Sequence, residues 1–372
     1  MEKYKIRKPI RLIELFAGIG AQAMALRNLG VNFEHYKVVE FDEEPLTSYN
    51  AIHNTNFEPI NIMNLDAKDL EIVDRDKYDY IMTYSFPCTS ISTAGKQEGM
   101  AKGSNTSSSL LWEVERLINE LGDELPQILL MENVQQVKSA KNIKHFNAWI
   151  SFLEKKGYKN YVEILDATNF GIPQTRKRCF MVSILGNYEY KFPKAIPLTK
   201  NIFDILEDNV DESFYITNPE DGRFQKQALE TFNLNDVEYG DIVDAFNKKV
   251  IKDKLLRTIT TRPEGFKTAQ LIVTKDNRLR KITPKECWLA MGFTEDDYNK
   301  ASKVMKYKKK KLYKQAGNSI VVNVLILPNI PAAITFPRST ATKRIPETIN
   351  SRHKITMITH PGINHVNSGL YC

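Results

Sequence analysis

Ser85-Phe86-Pro87-Cys88 closes the apolar run Asp79–Tyr84 and opens onto a serine- and glycine-rich stretch, residues 89–109. A cysteine at the mouth of a strand can act as a nucleophile. Ligands and catalytic groups in open α/β sheets collect beyond the carboxyl ends of the strands, which is where Cys88 is expected. The alternative is an inert packing thiol, since free cysteine is among the most buried residue types. A free thiol, with a pKa near 8.5, is mostly protonated at neutral pH, so a nucleophilic Cys88 needs help from its surroundings.

Three more segments bring chemistry-bearing side chains to strand ends. Glu132-Asn133-Val134 follows a strand expected over residues 127–131, and Gln174-Thr175-Arg176-Lys177-Arg178 leads into one expected over 178–185. Arg176 and Arg178, two residues apart, would share one face of an extended chain. Phe16-Ala17-Gly18-Ile19-Gly20 sits between a strand and a helix, and Glu40 lies twenty residues beyond Gly20. That spacing suits a carboxylate accepting hydrogen bonds from ribose hydroxyls. The third glycine of the dinucleotide fingerprint is missing, and so is the Gly-Lys-Ser/Thr of a phosphate loop. A nucleoside cofactor without pyrophosphate therefore fits better, and S-adenosylmethionine is one, with Phe41 and Phe16 available to pack on adenine.

These residues need elements to hold them. Strand, glycine turn and helix (residues 11–28), a second strand (36–41) and helix (43–53), and the strand 79–84 begin an alternation. It continues through a helix (110–121), the strand 127–131, a helix (143–156) and strands at 161–166 and 178–185. Such alternation predicts an α/β fold with a doubly wound, mostly parallel sheet. Prolines 193, 197, 219 and 263 and short apolar pieces mark residues 191–281 as a second, smaller and irregular domain. A helix is expected from Thr283, as N-cap, to Met291, with Pro284 at its first position.

The motifs occur in an order that closely resembles the DNA cytosine-5 methyltransferase family, of the bacterial or phage, restriction-modification type, over about residues 10–325: Phe-Ala-Gly-Ile-Gly, a strand-end Glu, Ser-Phe-Pro-Cys, Glu-Asn-Val, Gln-x-Arg-x-Arg, a polar variable region, and Gly317-Asn318-Ser319. The resemblance implies a Rossmann-like, S-adenosylmethionine-dependent catalytic domain (1–190), a target-recognition domain (191–281), a hinge and return segment (282–336), and an extension (337–372) outside the family pattern. It implies that Cys88 adds to C6 of cytosine while Glu132 contacts N3 and the exocyclic amine. Arg178 would meet the base carbonyl, Arg176 a phosphate or carboxylate, and Asn133 would orient the loop. Carried over in the same way, the cofactor site comprises Phe16, Gly18, Ile19, Glu40, Phe41, Asn64, Pro87, Leu110, Asn318 and Ser319. No metal is implied, and S-adenosylhomocysteine is the expected second product. The target base must be flipped out of double-stranded DNA, and residues 89–109 would close over it. A cognate restriction endonuclease is a further partner implied, with a monomeric, cytoplasmic enzyme.

The sequence departs from the family pattern at three places. Thr89 stands where glutamine usually follows Pro-Cys, Asn64 where an aspartate meets the adenine amine, with Asp66 nearby, and Pro328 and Pro331 interrupt the helix expected after Ser319. Arg257-Thr-Ile-Thr-Thr-Arg262 resembles the element that supports the recognition domain.

The bulk composition agrees with a polyanionic substrate. The 372 residues carry a formal charge of +7 and 42% hydrophobic residues, enough for about two domains. Between Lys300 and Lys314 there are eight lysines and no acid, readable as phosphate contacts or as a solvated basic face. No apolar run of 18 residues and no signal-peptide pattern is present. Cys88, Cys179, Cys287 and Cys372 have neither CxxC spacing nor a nearby histidine cluster, which argues against disulfides and zinc. Two other readings stay open: a tRNA cytosine-5 methyltransferase of the same fold, and a catalytically inactive DNA-binding module. A cysteine hydrolase is disfavoured, because no histidine lies near any motif.

Overall fold

The first half of the chain alternates strand and helix: β1 (Ile10–Leu15), α1 (Ala21–Asn28), β2 (Phe33–Val39), α2 (Glu43–His53), β3 (Asp79–Tyr84), α3 (Leu111–Glu120), β4 (Ile128–Val134), α4 (Ile143–Lys155), β5 (Tyr158–Asp166) and β6 (Lys177–Leu185). The computed structural model describes residues 2–326 except Ala94, Lys96 and Tyr307, and the side chains of Asp221 and Ile326 are left aside. The expected extension 337–372 and the prolines at 328 and 331 lie outside the described residues.

The six strands form one sheet in the order β2-β1-β3-β4-β6-β5. Neighbours among β1 to β4 are parallel, whereas β6 runs antiparallel to both β4 and β5. All of β3 is buried, as a central strand covered on both faces must be, and this explains its unbroken apolar run. Helix α3 buries Leu111, Val114, Leu117 and Ile118, one stripe at helical spacing. The chain leaves β1 toward β2 on one side and crosses to β3 on the other. That reversal makes a crevice at the carboxyl ends of β1 and β3.

Residues 215–281 form a second sheet rather than the irregular segment expected. Strands β7 (Tyr215–Ile216), β8 (Ile242–Asp244), β9 (Lys249–Ile251), β10 (Leu271–Val273) and β11 (Leu279–Lys281), with helix α5 (Arg223–Thr231) after β7, pair antiparallel in the order β7-β11-β10-β8-β9. Ile216, Ala228, Val243, Leu271 and Leu279 share their core. The chain then returns through α6 (Pro284–Leu289), α7 (Glu295–Val304), α8 (Lys309–Asn318) and α9 (Val322–Ile326). Thr283 caps α6 as expected: its hydroxyl accepts from Glu286 N at 3.1 Å, and Glu286 accepts from Thr283 N at 2.8 Å. Helix α7 packs on α2, and α9 on α1. Arg27 of α1 donates twice to Asp297 of α7, at 2.8 and 3.0 Å.

A buried polar cluster lies under the glycine turn. Tyr49 Oη donates to Glu14 Oε2 at 2.6 Å, His35 Nδ1 lies 2.7 Å from Tyr49 Oη, and His53 Nε2 lies 3.2 Å from the carbonyl of Ile19. Gly20, at φ 80°, leaves no room for a side chain, since a Cβ would come within 2.4 Å of His53 and 2.6 Å of Tyr49. Burial raises the Glu14 carboxyl to about 7 and lowers His53 to about 3. A carboxyl that is harder to ionise when folded favours the native state while protonated, and loses that advantage as pH rises from its unfolded value, near 4.5, to about 7. Glu14→Gln keeps an acceptor for Tyr49 without the charge. Thermal melts should therefore show the variant gaining on the parent between pH 5 and pH 8, by about 2–3 kcal/mol. A difference independent of pH would show that Glu14 is not the titrating group.

Candidate active site

The carboxyl ends of β1, β2, β3 and β4 open into a cavity whose lining includes Phe16, Glu40, Phe41, Pro87, Cys88, Leu110, Glu132, Asn133, Arg176, Arg178 and Asn318. A second, more open cleft shares Cys88, Thr89, Val134, Arg178, Gly317 and Asn318 with it and continues along residues 258–261. Cys88 therefore lines both.

Glu132 belongs to β4 rather than following it. The strand runs three residues past the expected end because Glu132, Asn133 and Val134 pair with Phe180, Cys179 and Arg178 of the antiparallel β6. That pairing sets the chemistry: Arg178 Nε lies 3.3 Å from Glu132 Oε1, in a pair almost closed to solvent. Asn133 Nδ2 donates to the carbonyl of Phe86 at 2.8 Å, and its Oδ1 accepts from Val134 N at 2.8 Å, fixing the backbone two residues before Cys88.

Gln174 and Arg176, two residues apart, lock the other wall. Gln174 Nε2 donates to the carbonyl of Ala290 at 2.8 Å and its Oε1 accepts from Ile259 N at 2.9 Å. The Arg176 guanidinium, 3% exposed, donates to the carbonyls of Ile259, Gly317 and Ser319 at 2.8, 2.9 and 2.8 Å. Gly317 must be glycine here, because a Cβ would fall 2.3 Å from the backbone of Thr260. The segment resembling a support for the recognition domain, residues 257–262, is thus bolted to the site.

At the cofactor end, both Glu40 carboxylate oxygens hold backbone: Oε2 accepts from Gly18 N at 3.0 Å and Oε1 from Asp42 N at 2.9 Å. Each oxygen keeps a second lone pair for a ligand hydroxyl. Phe16 has φ 58°, a left-handed conformation that bulky residues rarely adopt, and Phe41 is 67% exposed. Two aromatic rings beside a carboxylate make a cradle suited to a nucleoside. Ser85 Oγ and Arg176 Nε are buried against this cavity with no partner among the described residues, so a bound polar ligand has groups to satisfy.

Four cofactor residues expected from the resemblance do not line the cavity: Gly18, whose N–H goes to Glu40, and three others. Asn64 does not line the cavity; Asn61 does, with its Oδ1 accepting from Met63 N at 3.0 Å. Asn61 caps the short 3-10 turn Ile62–Asn64, which carries Asn64 away from the lining. Ile19 is packed in the core, 2% exposed, leaving its backbone as the part near the turn. Ser319 presents its carbonyl to Arg176 and returns its hydroxyl to Gln315 O at 2.7 Å.

Residues 89–109 are anchored at several points. Ser108 Oγ donates to Pro87 O at 2.7 Å, Gly99 N to Ser90 O at 2.8 Å, and Trp112 Nε1 to Met100 O at 2.9 Å, while Ile91 and Met100 are buried. Part of the lysine run is also occupied: Lys311 lies 2.6 Å from Glu44, and Lys314 2.8 Å from Asp42, so these two charges brace α8 against the start of α2.

The C-5 cytosine-specific DNA methylase family matches residues 10–327. The chain belongs to this family. It is 33% identical to the type II methyltransferase M2.ScrFI of Lactococcus lactis subsp. cremoris, over 85% of this chain and 97% of that one. It is 29% identical to the orphan methyltransferase M.SssI of Spiroplasma monobiae, over 86% and 96%. In fold it is similar to an Entamoeba histolytica methyltransferase, EhMeth, with TM-score 0.67 at 18% identity over 86% of this chain and 96% of that one. This methylase is accordingly a DNA cytosine-5 methyltransferase, with the mixed, Rossmann-like sheet of its structural neighbours. None of its described helices is long and apolar enough to cross a membrane.

The electrostatics of the methylase site set the resting state of the Cys88 thiol. Burial raises the Cys88 thiol and Glu132 raises it further, against the opposing pull of Arg178 and Arg176. Burial likewise raises Glu132, with the two arginines opposing. Both groups are biased toward their neutral, protonated forms. Replacing Glu132 with Gln removes a contribution that keeps Cys88 protonated and frees Arg178 to act on the thiol. Alkylation of Cys88 by iodoacetamide at pH 8 should therefore become several-fold faster in Glu132→Gln, while methyl transfer is lost. Slower or unchanged alkylation would mean that the carboxylate does not govern the thiol.

Proposed function

We propose that Cys88 and Glu132 together carry a covalent methyl transfer from S-adenosylmethionine to C5 of a cytosine flipped out of duplex DNA. The observation that carries this reading is convergence: one cavity holds the thiol, the Glu132–Arg178 pair and the nucleoside cradle. C5 of cytosine is a poor nucleophile, and adding sulfur at C6 turns the ring into an enamine that can attack through C5. S-adenosylmethionine supplies a sulfonium-bound methyl group as the electrophile. Phe16, Phe41 and Asn61 would hold the adenine end, and Glu40 the ribose hydroxyls.

Cys88 gives its proton to solvent water and Sγ bonds to C6, while the C5=C6 electrons shift through C4 to N3, which takes the proton that Glu132 holds. Arg178 would stabilise the carboxylate left behind. Once C5 has taken the methyl group, with S-adenosylhomocysteine as the leaving group, the C5 proton passes to water, the Sγ–C6 bond breaks, and N3 returns its proton to Glu132. The raised thiol pKa fits a nucleophile activated only once a base displaces water from the site. Water-filled resting sites then hold little reactive thiolate.

Residues 191–281 are assigned to target selection, since the segment joining β9 to β10 is attached to the cleft wall at Ile259 by Gln174 and Arg176. Arg, Lys, Asn and Gln side chains there are suited to reading base edges in the major groove. The names of the type II relatives support a restriction-modification setting, with a cognate endonuclease as partner of a monomeric, cytoplasmic enzyme.

Transfer of labelled methyl to duplex DNA and to tRNA, measured in parallel, tests the substrate. Label should enter DNA at C5 of cytosine, and Cys88→Ala should abolish it, a loss of at least 10³-fold, while DNA binding persists. Label confined to tRNA would refute the DNA assignment; residual turnover near the parent rate would refute the nucleophile.

A further inference from the structure

A histidine sits beneath the glycine turn, and the chemistry above gives it no task. His53, the last residue of α2, directs Nε2 at the carbonyl of Ile19, 3.2 Å away. A carbonyl can only accept, so Nε2 carries the proton. Burial, which lowers this ring to about 3, leaves it neutral at neutral pH, a fixed donor rather than a charge.

The bond falls where the backbone is freest to turn. Gly18 and Gly20 flank Ile19 with φ of 57° and 80°, and glycine on both sides lets a peptide plane rotate at little cost. Here the Ile19–Gly20 plane is gripped at both edges: Gly20 N donates to Ala17 O at 3.0 Å, and His53 holds the opposite carbonyl. One peptide earlier, Gly18 N donates to Glu40 Oε2 at 3.0 Å. The turn thereby joins Glu40 to Phe16, and both line the cavity. Phe16, at φ 58°, keeps its left-handed backbone only while its neighbours stay in place. The His53 ring is itself crowded into position, 4.4 Å from the ring of Tyr49 and 4.9 Å from that of His35, and Tyr49 is tied to Glu14.

We propose that His53 is a positioning residue of the methyl-donor site, its Nε2–H fixing the glycine turn in the shape that receives the nucleoside end of S-adenosylmethionine. The proposal rests on the methyl-transfer reading above and adds the group that shapes its donor site in advance. A turn held before the ligand arrives loses less freedom on binding, so the gain falls on affinity and leaves the chemical step alone. His53 does not line the cavity and acts through Ile19.

The test measures binding of S-adenosylmethionine and of S-adenosylhomocysteine to the full-length protein by calorimetry, with kcat and KM alongside, for the parent, His53→Gln, His53→Leu and His53→Asn. The Gln amide nitrogen reaches the place of Nε2, Leu fills similar space without a donor, and the Asn nitrogen reaches only the place of Nδ1. His53→Leu and His53→Asn should each weaken both ligands roughly fivefold to tenfold, as loss of one hydrogen bond does, and raise KM for the donor to match. Their kcat and their KM for DNA should stay near the parent values. His53→Gln should bind within about twofold of the parent. Either of the two weakened variants suffices if the other fails to fold. Unchanged affinity in both, or equal losses in all three, would show that the ring only fills space and would overturn the proposal, as would a kcat that falls while affinity holds. A parent that binds neither ligand would instead count against the methyl-donor reading.

Discussion

The Arg176 guanidinium is the interaction on which this active site depends. Buried and bonded to the carbonyls of Ile259, Gly317 and Ser319, it gathers the approach to β6, the segment after β9 and the turn between α8 and α9 around one planar cation. Desolvating a charge costs several kcal/mol, and charge-assisted hydrogen bonds of about 1.5–3 kcal/mol each offset that only when several are made with good geometry. Removing the cation would strand the buried Ile259 carbonyl and take a donor from those of Gly317 and Ser319. Gln174 repeats the device two residues earlier, holding Ile259 and Ala290 with one amide. Polar side chains thereby link the catalytic sheet to the segment that leads into the second sheet, and a change on one side can be felt on the other.

The same strand junction sets the reactivity of Cys88. Because β6 runs antiparallel to β4, Val134 faces Arg178 across the ladder, and the Arg178 side chain reaches Glu132. Burial pushes thiol and carboxyl toward their protonated forms, whereas the two guanidiniums pull both toward ionisation. A small change in hydration or charge, such as entry of a base, can then shift two protons. This arrangement suits a nucleophile that must stay quiet in water and react in a closed site.

Much of this was legible in the residues. Apolar runs and glycine turns located β1 to β4, and the ends of α2 and β3 agree with their expected bounds, because Asp42 and Asn54 cap α2 and full burial makes β3 uniformly apolar. Strand polarity was not legible: nothing in the composition of β6 reveals that it turns back against β4. Glu132 was read as a strand terminus because a carboxylate ends an apolar run, although its backbone is still paired. The second sheet escaped because strands of two or three residues carry no measurable alternation. That Asn61 rather than Asn64 faces the cavity was not legible, because a single 3-10 turn between them is too short to leave a pattern. The buried duties of Gln174 and Arg176 were hidden too, since a polar side chain bonded to distant carbonyls resembles a surface one until the fold is known.

The covalent role of Cys88 is the centre of this account, and duplex DNA with 5-fluorocytosine at the target position addresses it most directly. Fluorine cannot leave C5 as a proton does, so elimination of the enzyme stalls after methyl transfer. In the presence of S-adenosylmethionine, peptide mass spectrometry should find methylated 5-fluorocytosine attached to Cys88 through sulfur, stable to denaturation. Attachment at another residue, or complete methylation of ordinary cytosine with no trapped species on the fluorinated duplex, would contradict the mechanism.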